Sequence, residues 1–213
     1  MYERSFTHGV KMPETVSKGD QSRREILEAA KHLFLTQGYN GTSMRMIAQA
    51  AGGRAVAGIY NHFPTKRALF EALIQEYNPY DTLLELMESG QGDTAPDYIR
   101  SVMIRVLGFM TGQYEFIGLV QIDLREFEGE TISHLLQTVM PRALEMAQRV
   151  QSLPGMRPIE TIVLLRLFAS IVIGFVTTEH VIPTGLFDFW PREVWAEKLT
   201  ELIIYGVAEE DSR

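Results

Sequence analysis

The sequence predicts an all-α chain in which a small helical headpiece precedes a larger helical body. Three observations carry that expectation: apolar residues recur at helical spacing along most of the chain, no alternating strand pattern of any length occurs, and the sign of the charge reverses partway along. Residues 18–70 hold eight Lys or Arg against three Asp or Glu, a net of +5, whereas residues 71–213 hold ten against twenty-two, a net of −12. A basic module is joined to an acidic body, and the chain as a whole carries −7. A phosphate-contacting headpiece would show this reversal, although a solvated charged face would also produce it. With 213 residues and 46% hydrophobic content there is enough apolar side chain for a sizeable core. The absence of cysteine excludes disulfides, thiolate zinc sites and cysteine nucleophiles, and suits a reducing cytoplasm.

Each element follows from local pattern. Ile26, Leu27, Ala30, Leu33 and Phe34 keep the i, i+3, i+4, i+7 spacing, and Gly38 stands where a helix would stop, which predicts a helix over Ser22–Gln37. Thr42 or Ser43 can cap a short second helix whose Met44, Ile47 and Ala48 face inward and which Gly52-Gly53 ends. A third helix over about 55–62 stops at Pro64, and Thr65 caps a fourth with Leu69, Phe70, Leu73, Ile74 and Tyr77 as its apolar stripe. Beyond Pro79, helices are expected at about 80–89, 96–112, 115–128, 131–152, 158–180 and 191–208. Residues 1–20 lack the apolar run of a signal peptide and read as a mobile tail, 21–79 as the headpiece and 80–213 as the body, with the boundary near Tyr77–Asp81.

Two helices of about two turns, joined by a glycine-containing turn and braced by a longer helix on each side, form a helix-turn-helix. In that unit the second helix lies in the DNA major groove, with its first residues at base edges and neighbouring polar groups on phosphates. The small residues Ala55, Val56 and Ala57 would let the backbone approach the groove floor, with Arg54 just before them. Tyr60, Asn61, His62 and Lys66 crowd the far end, and Lys66 stands at the positive end of the fourth helix.

The joined pattern Thr42-Ser43-Met-Arg45-Met-Ile47-Ala48 through Ala51-Gly52, then Ile59-Tyr60-Asn61-His62-Phe63-Pro64-Thr65-Lys66 to Leu69-Phe70, resembles the TetR family of transcriptional regulators over about residues 22–75. The resemblance implies a homodimer, a three-helix DNA-binding domain in each subunit, and a C-terminal helical domain that binds a small-molecule effector and dimerises through its last two helices. It places Thr42, Ser43, Tyr60, His62 and Lys66 at phosphate-contacting positions, and Arg45 with Ala55 to Ala57 near bases. One departure is visible: six residues, Gly53 to Gly58, separate Gly52 from Ile59 where the family pattern has five. Which of Arg54, Ala55 and Val56 leads into the groove is left open.

In the body, Phe116, Val120, Asp123 and Phe127 share one helical face, which sets an acid on an apolar stripe. Two readings are open. Asp123 either pairs with an arginine such as Arg105 or Arg166, or anchors a ligand in an apolar pocket shared with Phe109, Phe116, Phe127, Phe168 and Phe175. Trp190 and Trp195 are expected in dimer packing. Thr161–Thr178 is apolar enough to suggest a membrane span, but the internal Arg166 favours a helix buried, here between subunits. No phosphate-loop, nucleophile-elbow or zinc-protease motif occurs, and the histidines lack metal-ligand spacing. Gly90-Gln-Gly92-Asp-Thr-Ala95 follows a helix, so it reads as a loop and not a dinucleotide fingerprint. The expected protein is a cytoplasmic DNA-binding regulator, most simply a repressor that leaves a palindromic operator when an effector binds, without cofactor, metal or membrane. The alternatives are an activator of the same kind, an enzyme body with Asp123 or Glu126 as its carboxylate, and a body that binds protein.

Overall fold

The computed structural model describes residues 17–181 and 189–208. Of the tail expected over 1–20, residues 1–16 lie outside the described residues, and the rest is not tail. Ser17 accepts a hydrogen bond from the Asp20 amide at 3.1 Å and so starts α1 (Lys18–Gly41) one turn before Ser22. Gly38, at φ 75°, interrupts α1 where the sequence places its end.

The headpiece continues with α2 (Met44–Ala50), α3 (Val56–Tyr60) and α4 (Lys66–Tyr77). Ser43 caps α2 and Thr65 caps α4, each through its hydroxyl. Ile26, Phe34, Ile47, Ile59, Leu69, Phe70, Leu73 and Ile74 are completely enclosed. Burying each such side chain contributes about 1.5–3 kcal/mol, which is what holds two very short helices against α1 and α4.

Asn78 and Pro79 break the chain's helical run: Asn78 is extended at ψ 134°, and its side chain takes the Tyr80 amide. The body then comprises α5 (Tyr80–Glu88), α6 (Ala95–Met110), α7 (Tyr114–Glu126), α8 (Glu130–Gln151), α9 (Thr161–Val181) and α10 (Arg192–Val207). No strand occurs among the described residues beyond one isolated bridge between Met156 and Ala208. Residues 90–94 form a loop, as expected, where Gly92 lies against Asp97 and the Tyr98 amide too closely for a side chain.

The apolar core does not divide at residue 79. Phe116, Leu119 and Ile122 of α7 and Ile132 and Leu135 of α8 belong to the headpiece cluster, and a second cluster holds α6 with parts of α9 and α10. The α7–α8 corner is therefore built into the headpiece. Within the single chain only 17% of the apolar window of α9 is enclosed, and Ile162, Val163, Leu167 and Ile173 face outward.

Candidate functional site

The turn between α2 and α3 absorbs the additional residue. Gly52 and Gly53 take φ of 92° and 71°, a pair of left-handed conformations that only glycine adopts without strain, and the Arg54 amide reaches back to Ala48 O at 2.9 Å. Arg54 itself does not project. Its guanidinium donates to Ala51 O at 2.8 Å and Ser22 Oγ at 2.9 Å and pairs with Glu25, fastening the turn to α1. Ala55 is the N-cap of α3, and Ala55 and Ala57 are exposed, with Val56 half-buried.

Ser43, Arg45, Tyr60 and Asn61 are likewise exposed, so α3 and the start of α2 present polar groups around a small apolar patch. His62 is half-buried beside Phe63. Two expected contacts are engaged internally. Thr42 is 2% exposed and its hydroxyl donates to Gly38 O at 2.9 Å, because it closes the α1–α2 corner. Lys66 donates to Tyr39 O and Thr42 O, both at 2.9 Å, with its ammonium 4.1 Å from the Tyr39 ring centroid, which leaves one of its three donors for another partner.

The headpiece meets the body through side chains that the sequence reading passed over. Arg67 pairs with Glu71 on its own helix and reaches Glu130 Oε2 at 3.1 Å and Thr131 Oγ1 at 3.3 Å at the start of α8. Its guanidinium lies 3.9 Å from the Phe127 ring centroid, and that ring also packs edge-on against Tyr39 and at a tilt against Phe70. Asn40 hydrogen-bonds Glu126. On the other side Lys31 bridges Glu28 and Glu115 at 3.2 and 2.8 Å; burial draws its pKa down, but the two carboxylates outweigh it and leave it raised. The Tyr77 hydroxyl on Glu28 lowers that carboxyl's pKa, and burial followed by Glu28 raises that of Tyr77. A sequence signal for these pairs did exist in the Arg67/Glu71 spacing, but not for the partners distant in sequence.

Neither expected reading of Asp123 describes its surroundings. It is fully enclosed, and its Oδ2 accepts from the Ile132 amide at 3.0 Å. Arg105 is committed to Ser89 and Ser101, and Arg166 is exposed. Asp123 also does not line the body cavity.

That cavity, about 330 Å³, opens among α5 to α9. Phe116 and Phe168 line it with Val120, Leu136 and Met140, whereas Phe109, Phe127 and Phe175 do not. Phe127 is the headpiece contact just described. Phe109 packs in the second core cluster, and Phe175 faces a separate groove of about 290 Å³ with Trp195 and Glu179. Trp190 and Trp195 pack edge-on, with ring centroids 4.8 Å apart.

Residues 26–73 match the family described as "Bacterial regulatory proteins, tetR family". The chain is 40% identical over 65 residues to the "HTH-type transcriptional repressor AcnR" of Corynebacterium efficiens, a match covering 29% of this chain and 34% of that protein. It thus spans about a third of the length of the AcnR relatives. It is 27% identical over 195 residues to the uncharacterised HTH-type transcriptional regulator YdgC of Bacillus subtilis, covering 90% and 95% of the two chains. Among solved structures, NalD of Pseudomonas aeruginosa, a secondary repressor of the MexAB-OprM multidrug efflux pump, superposes with a TM-score of 0.66 at 20% identity, over 91% of this chain and 99% of that one. A putative fatty acid metabolism regulator of Clostridium perfringens superposes with a TM-score of 0.70 at 17% identity, over 87% and 100%. These likenesses establish the same all-α fold along most of the chain.

Proposed function

We propose that the chain, whose residues 26–73 match the tetR family of bacterial regulatory proteins, is a DNA-binding transcriptional regulator, a repressor that leaves a palindromic operator when a small molecule fills the body cavity. The observation that supports this most is the exposed face of the helix-turn-helix. Ala55 and Ala57 are small enough for close approach to base edges, Arg45 and Asn61 flank them, and Ser43 and Tyr60 offer hydroxyls to phosphate. Lys66 adds its remaining donor to that face.

Control by a ligand follows from where the cavity walls lead. Helices α7 and α8 line it, and the corner joining them carries Phe127, Glu130 and Thr131 against α4. An occupant that prefers a different spacing of α7 and α8 shifts the headpiece by the difference in its affinity for the two arrangements, typically about 1–3 kcal/mol. The exposed apolar residues of α9, with Leu202 and Tyr205 of α10, fit a two-fold homodimer that pairs two headpieces. The protein acts where the DNA is, in the cytoplasm, and catalyses no reaction.

Selection of bound duplexes from a random pool tests the reading. The expected product is a palindrome whose half-sites are about 34–36 Å apart or a multiple of that. Failure to enrich any sequence, with the same weak affinity for all duplexes, would overturn it.

A further inference from the structure

The lining of the body cavity restricts the chemistry of its occupant. Among the described residues, no Asp, Glu, Lys, Arg or His borders it, nor the adjoining apolar pocket of about 60 Å³, which shares Met87, Leu165 and Phe168 with it. A charged ligand group would lose its hydration there without gaining a counter-charge, so the cavity discriminates strongly against ions. The polar side chains are two tyrosines. Tyr98, in the smaller pocket, donates its hydroxyl to Met87 O at 2.5 Å and is spent. Tyr80 lines the larger space, stacked edge-on with Phe116 at 5.8 Å, and among the described residues its hydroxyl has no hydrogen-bond partner. Burial raises the pKa of that hydroxyl, so it stays a neutral group able to donate or accept.

We infer that the cavity takes an uncharged, largely apolar molecule bearing one hydroxyl or carbonyl oxygen, which the Tyr80 hydroxyl meets while an apolar tail lies along Val120, Leu136 and Phe168. This rests on the reading of the body as the effector-binding part and names the class of effector. The volume falls within the roughly 300–1,000 Å³ of small-molecule sites, and Met87, Met110 and Met140 supply a wall that adapts to the tail's shape. The free oxygen requirement follows from Tyr80: a hydrocarbon would leave its hydroxyl unsatisfied when the cavity dries.

The test uses the full chain and the hydrocarbon fluorophore 1,6-diphenylhexatriene, displaced at pH 7 by 1-octanol, octanoate or octylammonium. The neutral alcohol is expected to displace the dye at a concentration at least about tenfold below either ion. Tyr80→Phe should weaken octanol about fivefold while changing dye affinity less than twofold, which separates a specific contact from simple hydrophobicity. Val120→Trp should abolish displaceable dye binding, with Leu136→Trp as the second filling variant should the first not fold. Equal competition by either ion, an unchanged octanol affinity in Tyr80→Phe, or dye binding that survives filling would overturn the inference. Octanol binding that shows these preferences but leaves the selected duplex bound would uphold the ligand class and remove the effector reading instead.

Discussion

The carboxylate of Asp123 caps a helix to which it does not belong: its Oδ2 accepts from the amide of Ile132, the third residue of α8, at 3.0 Å. The N-cap position itself is Gly129, at φ 78°, which has no side chain to offer, and the Gly129 amide in turn donates to Asp123 O. A residue of α7 thus supplies the acceptor that the local sequence lacks, and the two helices are locked at their corner.

Asp123→Ala leaves the Ile132 amide buried without an acceptor and is expected to lower stability by about 1–3 kcal/mol. Asp123→Asn keeps an oxygen in place and should cost less than half as much. Urea unfolding of both variants measures the order; equal losses would show that the acceptor at Ile132 is not what Asp123 provides.

Arg67→Ala and Glu130→Ala remove the two ends of an ion pair that joins headpiece to body, with side chains 30% and 64% exposed. At that exposure the pair contributes little, so a double-mutant cycle should return only about 0.2–1 kcal/mol of coupling. The larger effect is expected in a different quantity: the variants should weaken the dependence of DNA affinity on cavity occupancy, read by fluorescence anisotropy of the selected duplex with and without octanol.

Arg45 and Lys66 should separate cleanly. Arg45 is exposed and, among the described residues, its side chain makes no hydrogen bond or ion pair, so Arg45→Ala should lower the salt slope of DNA binding by about one unit with no change in melting temperature. Lys66→Ala strips two carbonyls of a charged donor and should cost about 1.5–3 kcal/mol of stability whatever it does to the slope. Calorimetry and salt titration of the two variants side by side check both statements.

Gly52 and Gly53 have nothing within 4 Å of where a Cβ would stand, so substitution there reports backbone conformation alone. Gly53→Ala is expected to cost about 1–2 kcal/mol for the left-handed φ, and Gly53→Asn less, since asparagine tolerates that region better. Thermal melts of the pair decide it.

Ile162→Glu combined with Leu202→Glu places acids on residues 63% and 67% exposed in the single chain. Sedimentation should show a dimer for the parent and a folded monomer for the variant, with unchanged helical circular dichroism. A parent that sediments as a monomer would remove the basis for paired headpieces.

The headpiece was legible because its signals are local. Periodicity, the hydroxyl caps Ser43 and Thr65 and the glycine turn each act within four residues, and the helices follow them closely. The body's helices were equally legible, but its site was not. Facing Phe116 and Asp123 from one helix correctly said that they share a side, yet whether that side meets a cavity or a neighbouring helix depends on α8, which sequence spacing does not place. Arg54 and Thr42 are drawn toward α1 for the same reason: their partners Ser22, Glu25 and Gly38 lie on it, far from them in sequence or across the turn.

The break at Asn78 and Pro79 has a mechanical meaning. A continuous helix from headpiece to body would resist bending, because each degree of flexure strains a ladder of backbone hydrogen bonds; here proline has no amide to contribute and Asn78 is already extended, so the joint has little ladder to strain. The headpiece is consequently held at its angle by the apolar core it shares with α7 and α8, by Phe127 and by the side-chain bonds of Arg67, Lys31 and Asn40, not by the chain that leads into it. Pro79 also borders the cavity, so under the proposed function the axle of the movement and the space that would drive it touch at one residue. Linkage then runs both ways: duplex that fixes the angle must alter the affinity for the occupant by the same factor that the occupant alters affinity for duplex.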